Sequence, residues 1–124
     1  MTVHGSIEFT ITEHDEQRVV SEMPIQPGIK NPFGGVHAGA MLWFADVTAT
    51  RLVLGDRQMS EGMQGFPLAI SLNANFVANQ TEGSLRATAS FVKRGRSVSV
   101  VRTVVTGAGG KLIADVTTSH VLSK

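Results

Sequence analysis

The sequence predicts an α+β fold in which one antiparallel sheet of about six strands wraps around a long central helix. Three observations carry this reading. Apolar and polar residues alternate with period two along most of the chain. The alternation breaks once, at a proline- and glycine-rich stretch, and that stretch leads into an apolar segment, Ala38 to Leu54, with helical character. The order is strand, strand, helix, then four strands.

Ile7, Phe9 and Ile11 alternate with Glu8, Thr10 and Thr12 as a first half-buried strand, and Gln17 to Ile25 reads as a second, weaker one. Pro24, Pro27, Gly28, Pro32, Gly34 and Gly35 make Pro24 to Val36 an irregular loop. Ala38 to Leu54 has good helix formers, no proline, Arg51 in its last turn and Gly55 placed for the C-terminal cap. The helix is apolar nearly all round, so protein is expected on several sides of it.

Asp56 to Gly65, polar and carrying Met59 and Met63, reads as a mobile loop near the site. Leu68 to Val77 puts Ile70, Leu72, Ala74 and Phe76 on one face and Ser71, Asn73 and Asn75 on the other. Ser84 to Val92 repeats the pattern with Leu85, Ala87, Ala89 and Phe91. Arg96 to Thr106 and Lys111 to Leu122 complete the set. Lys93-Arg-Gly-Arg96 and Gly107-Ala-Gly-Gly110 are the hairpin candidates.

A chain of 124 residues fits one domain, 1–124, large enough to bury a core. Net charge +1 with 17% charged residues gives no electrostatic footprint for nucleic acid or an anionic membrane, so neither partner is expected. The absence of cysteine excludes disulfides, thiolate zinc sites and cysteine nucleophiles, and fits a reducing, cytoplasmic setting. Met1 to Thr12 lacks the pattern of a signal peptide, and Ala38 to Leu54 is interrupted too often for a membrane span.

Asp46 is the residue that draws attention. It stands in mid-helix among Leu42, Trp43, Phe44, Ala45 and Val47, where an unpaired carboxylate is expensive to desolvate. It is either a candidate catalytic group or a residue on a solvated helix edge. Thr50, one turn later on the same face, either bonds substrate or water or bonds its own helix backbone. Asn31 either orients a water or carbonyl or turns the chain before Pro32. Met59, Met63 and Phe66 are candidates to shape an apolar pocket, with Met41, Trp43 and Phe44 assigned to packing contacts. The Lys93, Arg94, Arg96 cluster around Gly95 either pairs with phosphates or is a solvated patch. His4, His14 and His120 have no metal-ligand spacing, so no metal is expected. No serine occupies a Gly-x-Ser-x-Gly elbow.

Asn31 stands six residues before His37, and Asp46 nine after it. With Ser71-Leu-Asn-Ala-Asn-Phe76, Lys93-Arg-Gly-Arg-Ser97 and Gly110-Lys-Leu-Ile-Ala114 in that order, the stretch Asn31 to Leu122 resembles the hotdog fold and, within it, the small PaaI-like acyl-CoA thioesterases of phenylacetate degradation. The chain departs from that pattern in four places. Ala38-Gly39 follows the histidine where the family has two glycines, and Asp46-Val47-Thr48 replaces Asp-Thr-Ala, shifting the threonine by roughly 100° around the helix. The loop after the helix is longer, and Ala69 stands where some relatives carry serine, with Ser71 as a substitute.

The resemblance implies hydrolysis of an acyl-CoA, with aryl or medium-chain acyl groups admissible, in a homodimer or homotetramer whose active sites lie between subunits. CoA enters as part of the substrate, and no cofactor is required. The Ala38 and Gly39 amides at the helix start would polarise the thioester carbonyl. Asp46 would act as general base or nucleophile, with Asn31, His37 and Thr50 as polar neighbours. Lys93, Arg94, Gly95 and Arg96 would receive the CoA phosphates. A hydratase or dehydratase using His37 and Asp46, and a non-catalytic acyl-CoA-binding module, are the alternatives.

Overall fold

The computed structural model describes residues 1–124. The elements are β1 (Thr10–His14), β2 (Arg18–Pro24), a short 3₁₀ turn at Pro27–Ile29, α1 (Ala38–Leu54), β3 (Pro67–Phe76), β4 (Ser84–Lys93), β5 (Val98–Thr106), a second 3₁₀ turn at Ala108–Gly110, and β6 (Leu112–Leu122). The strands form one six-stranded sheet in the order β1-β2-β4-β5-β6-β3. Every neighbouring pair is antiparallel. β4, β5 and β6 follow one another as hairpins, whereas β3 leaves the helix and runs to the far edge beside β6.

α1 packs across this sheet. Met41, Phe44, Ala45, Thr48, Ala49, Leu52 and Leu54 are its buried residues, a stripe at three- and four-residue spacing. They meet Met23 of β2, Leu85 and Ala87 of β4, Val105 of β5 and Val116 of β6 in one cluster, with Val19, Ala89 and Val101 in a second. The helix ends where the sequence places its end. Gly55 takes φ 68°, a left-handed value that suits glycine, and its amide donates to the Arg51 carbonyl at 3.0 Å.

The stretch before the helix is irregular yet tied down. The Asn31 side-chain oxygen accepts from the Phe33 and Gly35 amides at 2.9 and 3.1 Å. Asn79, between β3 and β4, accepts from the Val36 amide at 2.9 Å and donates to the Val36 carbonyl at 3.0 Å. The His37 amide then donates to the Ile29 carbonyl at 2.8 Å.

Three expectations need correction. The first strand begins at Thr10, so Ile7 and Phe9 pack on the core from an unpaired segment, and all of β1 is exposed at the sheet edge. Phe9 meets Trp43 and Phe44 edge-on at 5.1 and 5.0 Å. In β3 the apolar residues Leu68, Ile70, Leu72 and Phe76 are exposed, because this strand is the opposite edge and bulges between Ala69 and Ser71. The helix is covered on its sheet side only, and Trp43 remains 43% exposed on the other.

Candidate active site

Asp46 sits on the flank of α1 beside the buried stripe. It lines a cavity of about 500 Å³ with Ile11, Val47, Thr50, Arg51, Leu54, Met59, Phe66, Pro67, Leu68 and Ala69. The size suits a small-molecule acyl group, and most of the wall is apolar. Asp46 Oδ1 is buried and has no hydrogen-bond partner. The other charged group, Arg51, is engaged, its guanidinium donating to the Gly55 and Arg57 carbonyls at 3.3 Å each. Thr50 faces the cavity one turn from Asp46, while Thr48 lies in the core. Its hydroxyl donates to the Phe44 carbonyl at 2.7 Å and accepts from Ser21, 2.9 Å away. Ala69 reaches the cavity wall; Ser71, opposite Ser119 in the β3–β6 ladder, does not line it. Of the candidate pocket residues, Met59 and Phe66 line the cavity and Met63 does not.

The start of the helix is a separate place. His37 is the N-cap in extended conformation, with no side chain capping the first turn. The Ala38 and Gly39 amides have no partner within the chain, and both residues are exposed. His37, Gly39, Ala40 and Trp43 face a shallow cleft of about 240 Å³ lined also by Ile7 and Ile29. Ala38 and Asp46 are eight residues apart, roughly 12 Å along the axis and 80° around it. One chain therefore keeps its acid and its free amides in different clefts. Asn31 is occupied in shaping the turn before the helix, with its carboxamide oxygen committed to two amides.

The β4–β5 hairpin lies beside the C-terminal end of α1, sharing a small cavity with Val53 and Arg57. A Cβ on Gly95 would collide with the Val98 carbonyl, so the turn requires glycine for space. Arg94 is held by the chain, its guanidinium 4.6 Å over the Phe91 ring and 2.9 Å from the Glu16 carbonyl. Lys93 and Arg96 are exposed, and the three ion pairs of the structure, Arg18–Glu13, Arg86–Glu22 and Arg102–Asp115, leave both unpaired.

His120 escaped the sequence reading as a site residue. It is 1% exposed, follows Val116 and Thr118 on the inward face of β6, and has Nε2 2.8 Å from Thr118 Oγ1. Its Nδ1 is buried without a partner. Burial pushes the imidazole below its ordinary value; the Asp46 charge and the Pro67 carbonyl pull the other way. Alternation along β6 carried the signal, since it puts residue 120 in phase with the buried set. No three His, Asp or Glu residues are grouped to hold a metal ion, and no helix is long and apolar enough to cross a membrane.

A helix packed against one face of a six-stranded antiparallel sheet, with an acid lining an apolar cavity beside it, is the hotdog arrangement. Solved structures bear out the fold. A variant of a thioesterase enzyme from Staphylococcus aureus subsp. aureus Mu50 superposes with TM-score 0.83 at 25% identity, covering 95% of each chain. A Streptococcus mutans UA159 protein bound to acetyl CoA superposes with TM-score 0.82 at 16% identity, over 94% of this chain and 89% of that one. ComA2 of Bacillus subtilis strain 168, assigned as an esterase, is 27% identical over 99 residues, 80% of this chain and 76% of that protein. The family model of the acyl-CoA thioesterase N-terminal domain matches residues 24–121, and the chain belongs to that family.

Proposed function

We propose that this protein is a PaaI-like acyl-CoA thioesterase of the cytoplasm that cleaves aryl or medium-chain acyl-CoA in a site shared between two copies. One observation carries the reading: Asp46 lines an apolar cavity with one carboxylate oxygen buried and unpartnered, while the free amides of the same helix open elsewhere. A second copy is what brings an acid and a set of amides together. The exposed apolar edge of β3 and the uncovered outer side of α1 offer the surface for that contact.

In this reading the thioester oxygen accepts from the Ala38 and Gly39 amides of one copy, where the helix dipole favours the charge that develops on it. As general base, Asp46 of the other copy takes a proton from water as the water oxygen bonds to the carbonyl carbon; the carbon–sulfur bond then breaks and CoA leaves as the thiol with that proton. As nucleophile, Asp46 bonds to that carbon itself and CoA leaves as thiolate; water then cleaves the resulting anhydride, giving its hydroxyl to the acid and its proton to the thiolate. Thr50 and Asn31 complete the polar surroundings and His37 flanks the carbonyl. Lys93 and Arg96 receive the CoA phosphates on a turn that Arg94 braces and Gly95 permits.

The test follows free thiol from a panel of acyl-, aryl- and hydroxyacyl-CoA esters. Asp46→Asn should lower kcat about a hundredfold or more. Random co-assembly of equal amounts of Asp46→Asn and Ala38→Pro chains should recover about a quarter of wild-type activity, because half the dimers are mixed and each has one intact site. No recovery on mixing places the site within one chain, and an active Asp46→Asn removes Asp46 from the chemistry.

A further inference from the structure

Three buried side-chain atoms of this molecule lack a close hydrogen-bond partner: Asp46 Oδ1 on α1, Thr103 Oγ1 on β5 and His120 Nδ1 on β6. Asp46 and His120 belong to one region. His120 is directly opposite Ala69 in the β3–β6 ladder, so both side chains leave the same face of the sheet, and Ala69 and Pro67 line the Asp46 cavity. We propose that His120 is a positioning residue for Asp46: its Nδ1–H holds the carboxylate in one orientation across a single ordered water.

The role requires one form of the ring. Nε2 is 2.8 Å from the Thr118 hydroxyl, and when that hydroxyl donates, the proton is left on Nδ1. On its other side His120 borders a cavity of about 110 Å³ with Arg57, Arg94 and Arg96. Facing the ring are thus Asp46 from α1, Arg57 from the post-helix loop, and Arg94 and Arg96 from the β4–β5 hairpin. β3 and β5 contribute no titratable group, presenting Ala69 and Ser99. Burial disfavours the charged imidazole, against the pull of the Asp46 charge and the Pro67 carbonyl. A neutral donor orients a carboxylate without quenching its charge, as a base or nucleophile requires. Buried polar groups without a protein partner are commonly satisfied by ordered water.

This inference rests on Asp46 being the reacting acid, and the experiment separates the two ideas. Histidine nitrogen NMR on the wild-type protein should show a protonated Nδ1 and a bare Nε2, with the Nδ1 resonance moving in Asp46→Asn. His120→Leu should lower kcat about tenfold to a hundredfold with KM unchanged, as loss of a hydrogen bond to a charged group does. His120→Asn, whose amide nitrogen takes the place of Nδ1, should return kcat to within about threefold of wild type. Circular dichroism and thermal midpoints establish that both variants are folded. An Nε2–H ring, a folded His120→Leu with wild-type kcat, or an Asn variant as slow as the Leu variant overturns the assignment. If Asp46→Asn is inactive while His120→Leu is fully active, this inference alone falls; if Asp46→Asn is active, both do.

Discussion

Ala38 offers a way to delete one hydrogen-bond donor and little else. It is the first residue of α1, its amide has no partner in the chain, and its side chain is exposed. Proline at the first helical position has the right φ and lacks only that N–H. The residue before it already suits a proline, since His37 lies at φ −60°, ψ 141°. Ala38→Pro should therefore leave stability unchanged or raise it by about 0.4–1 kcal/mol through the unfolded chain. Activity should respond very differently. Removing one donor to a developing oxyanion costs about 2.7–4 kcal/mol, so kcat should fall about a hundredfold to a thousandfold. Thiol release from acyl-CoA, read beside thermal midpoints, measures both. Gly39→Ala is the control, because its Cβ would meet nothing within 4 Å and the amide is kept. A folded Ala38→Pro enzyme with kcat within about threefold of wild type would show that this amide does not bind the reacting oxygen.

Lys93→Ala and Arg96→Ala should raise KM for CoA esters several-fold while sparing simple thioesters that lack phosphates, and equal effects on both substrates would argue against phosphate contact. Charging the exposed edge of β3 with Ile70→Lys should shift the protein to monomer in sedimentation and abolish thiol release together; an active monomer would refute the shared site. Acid should weaken the fold through His120. Its folded value lies below the ordinary 6.5, so the unfolded chain takes up the proton first. This contribution is constant above that pH and declines below it by at most about 1.4 kcal/mol per unit. Urea midpoints at pH 7.5 and 5.5 should converge in His120→Asn, and parallel curves for the two proteins would contradict the burial argument.

The helix from Ala38 to Leu54 and its stop at Gly55 were legible because both are local: helix formers without proline, then a residue that tolerates left-handed φ. The β4–β5–β6 hairpins were legible for the same reason. What β3 buries was not, since its alternation is genuine but its place at the sheet edge depends on which strand lies beyond it. Asp46 stood out through cost, as a charge in an apolar helix. His120 did not, because its significance lies in an unfilled ring nitrogen and in the helix that crosses β6. Asn31 illustrates the converse: the spacing marked it, and the fold engages its side-chain oxygen in a turn.

Asn79 bonds Val36 from 43 residues away, at both its amide and its carbonyl, so the direction in which α1 sets off is dictated by the connection between β3 and β4. That connection is not interchangeable in the way surface loops usually are. Swapping it for a segment without a side-chain amide at residue 79 would leave the chain's fold recognisable and tilt its helix, an injury that kinetics would register as misaimed chemistry although every reacting group was intact.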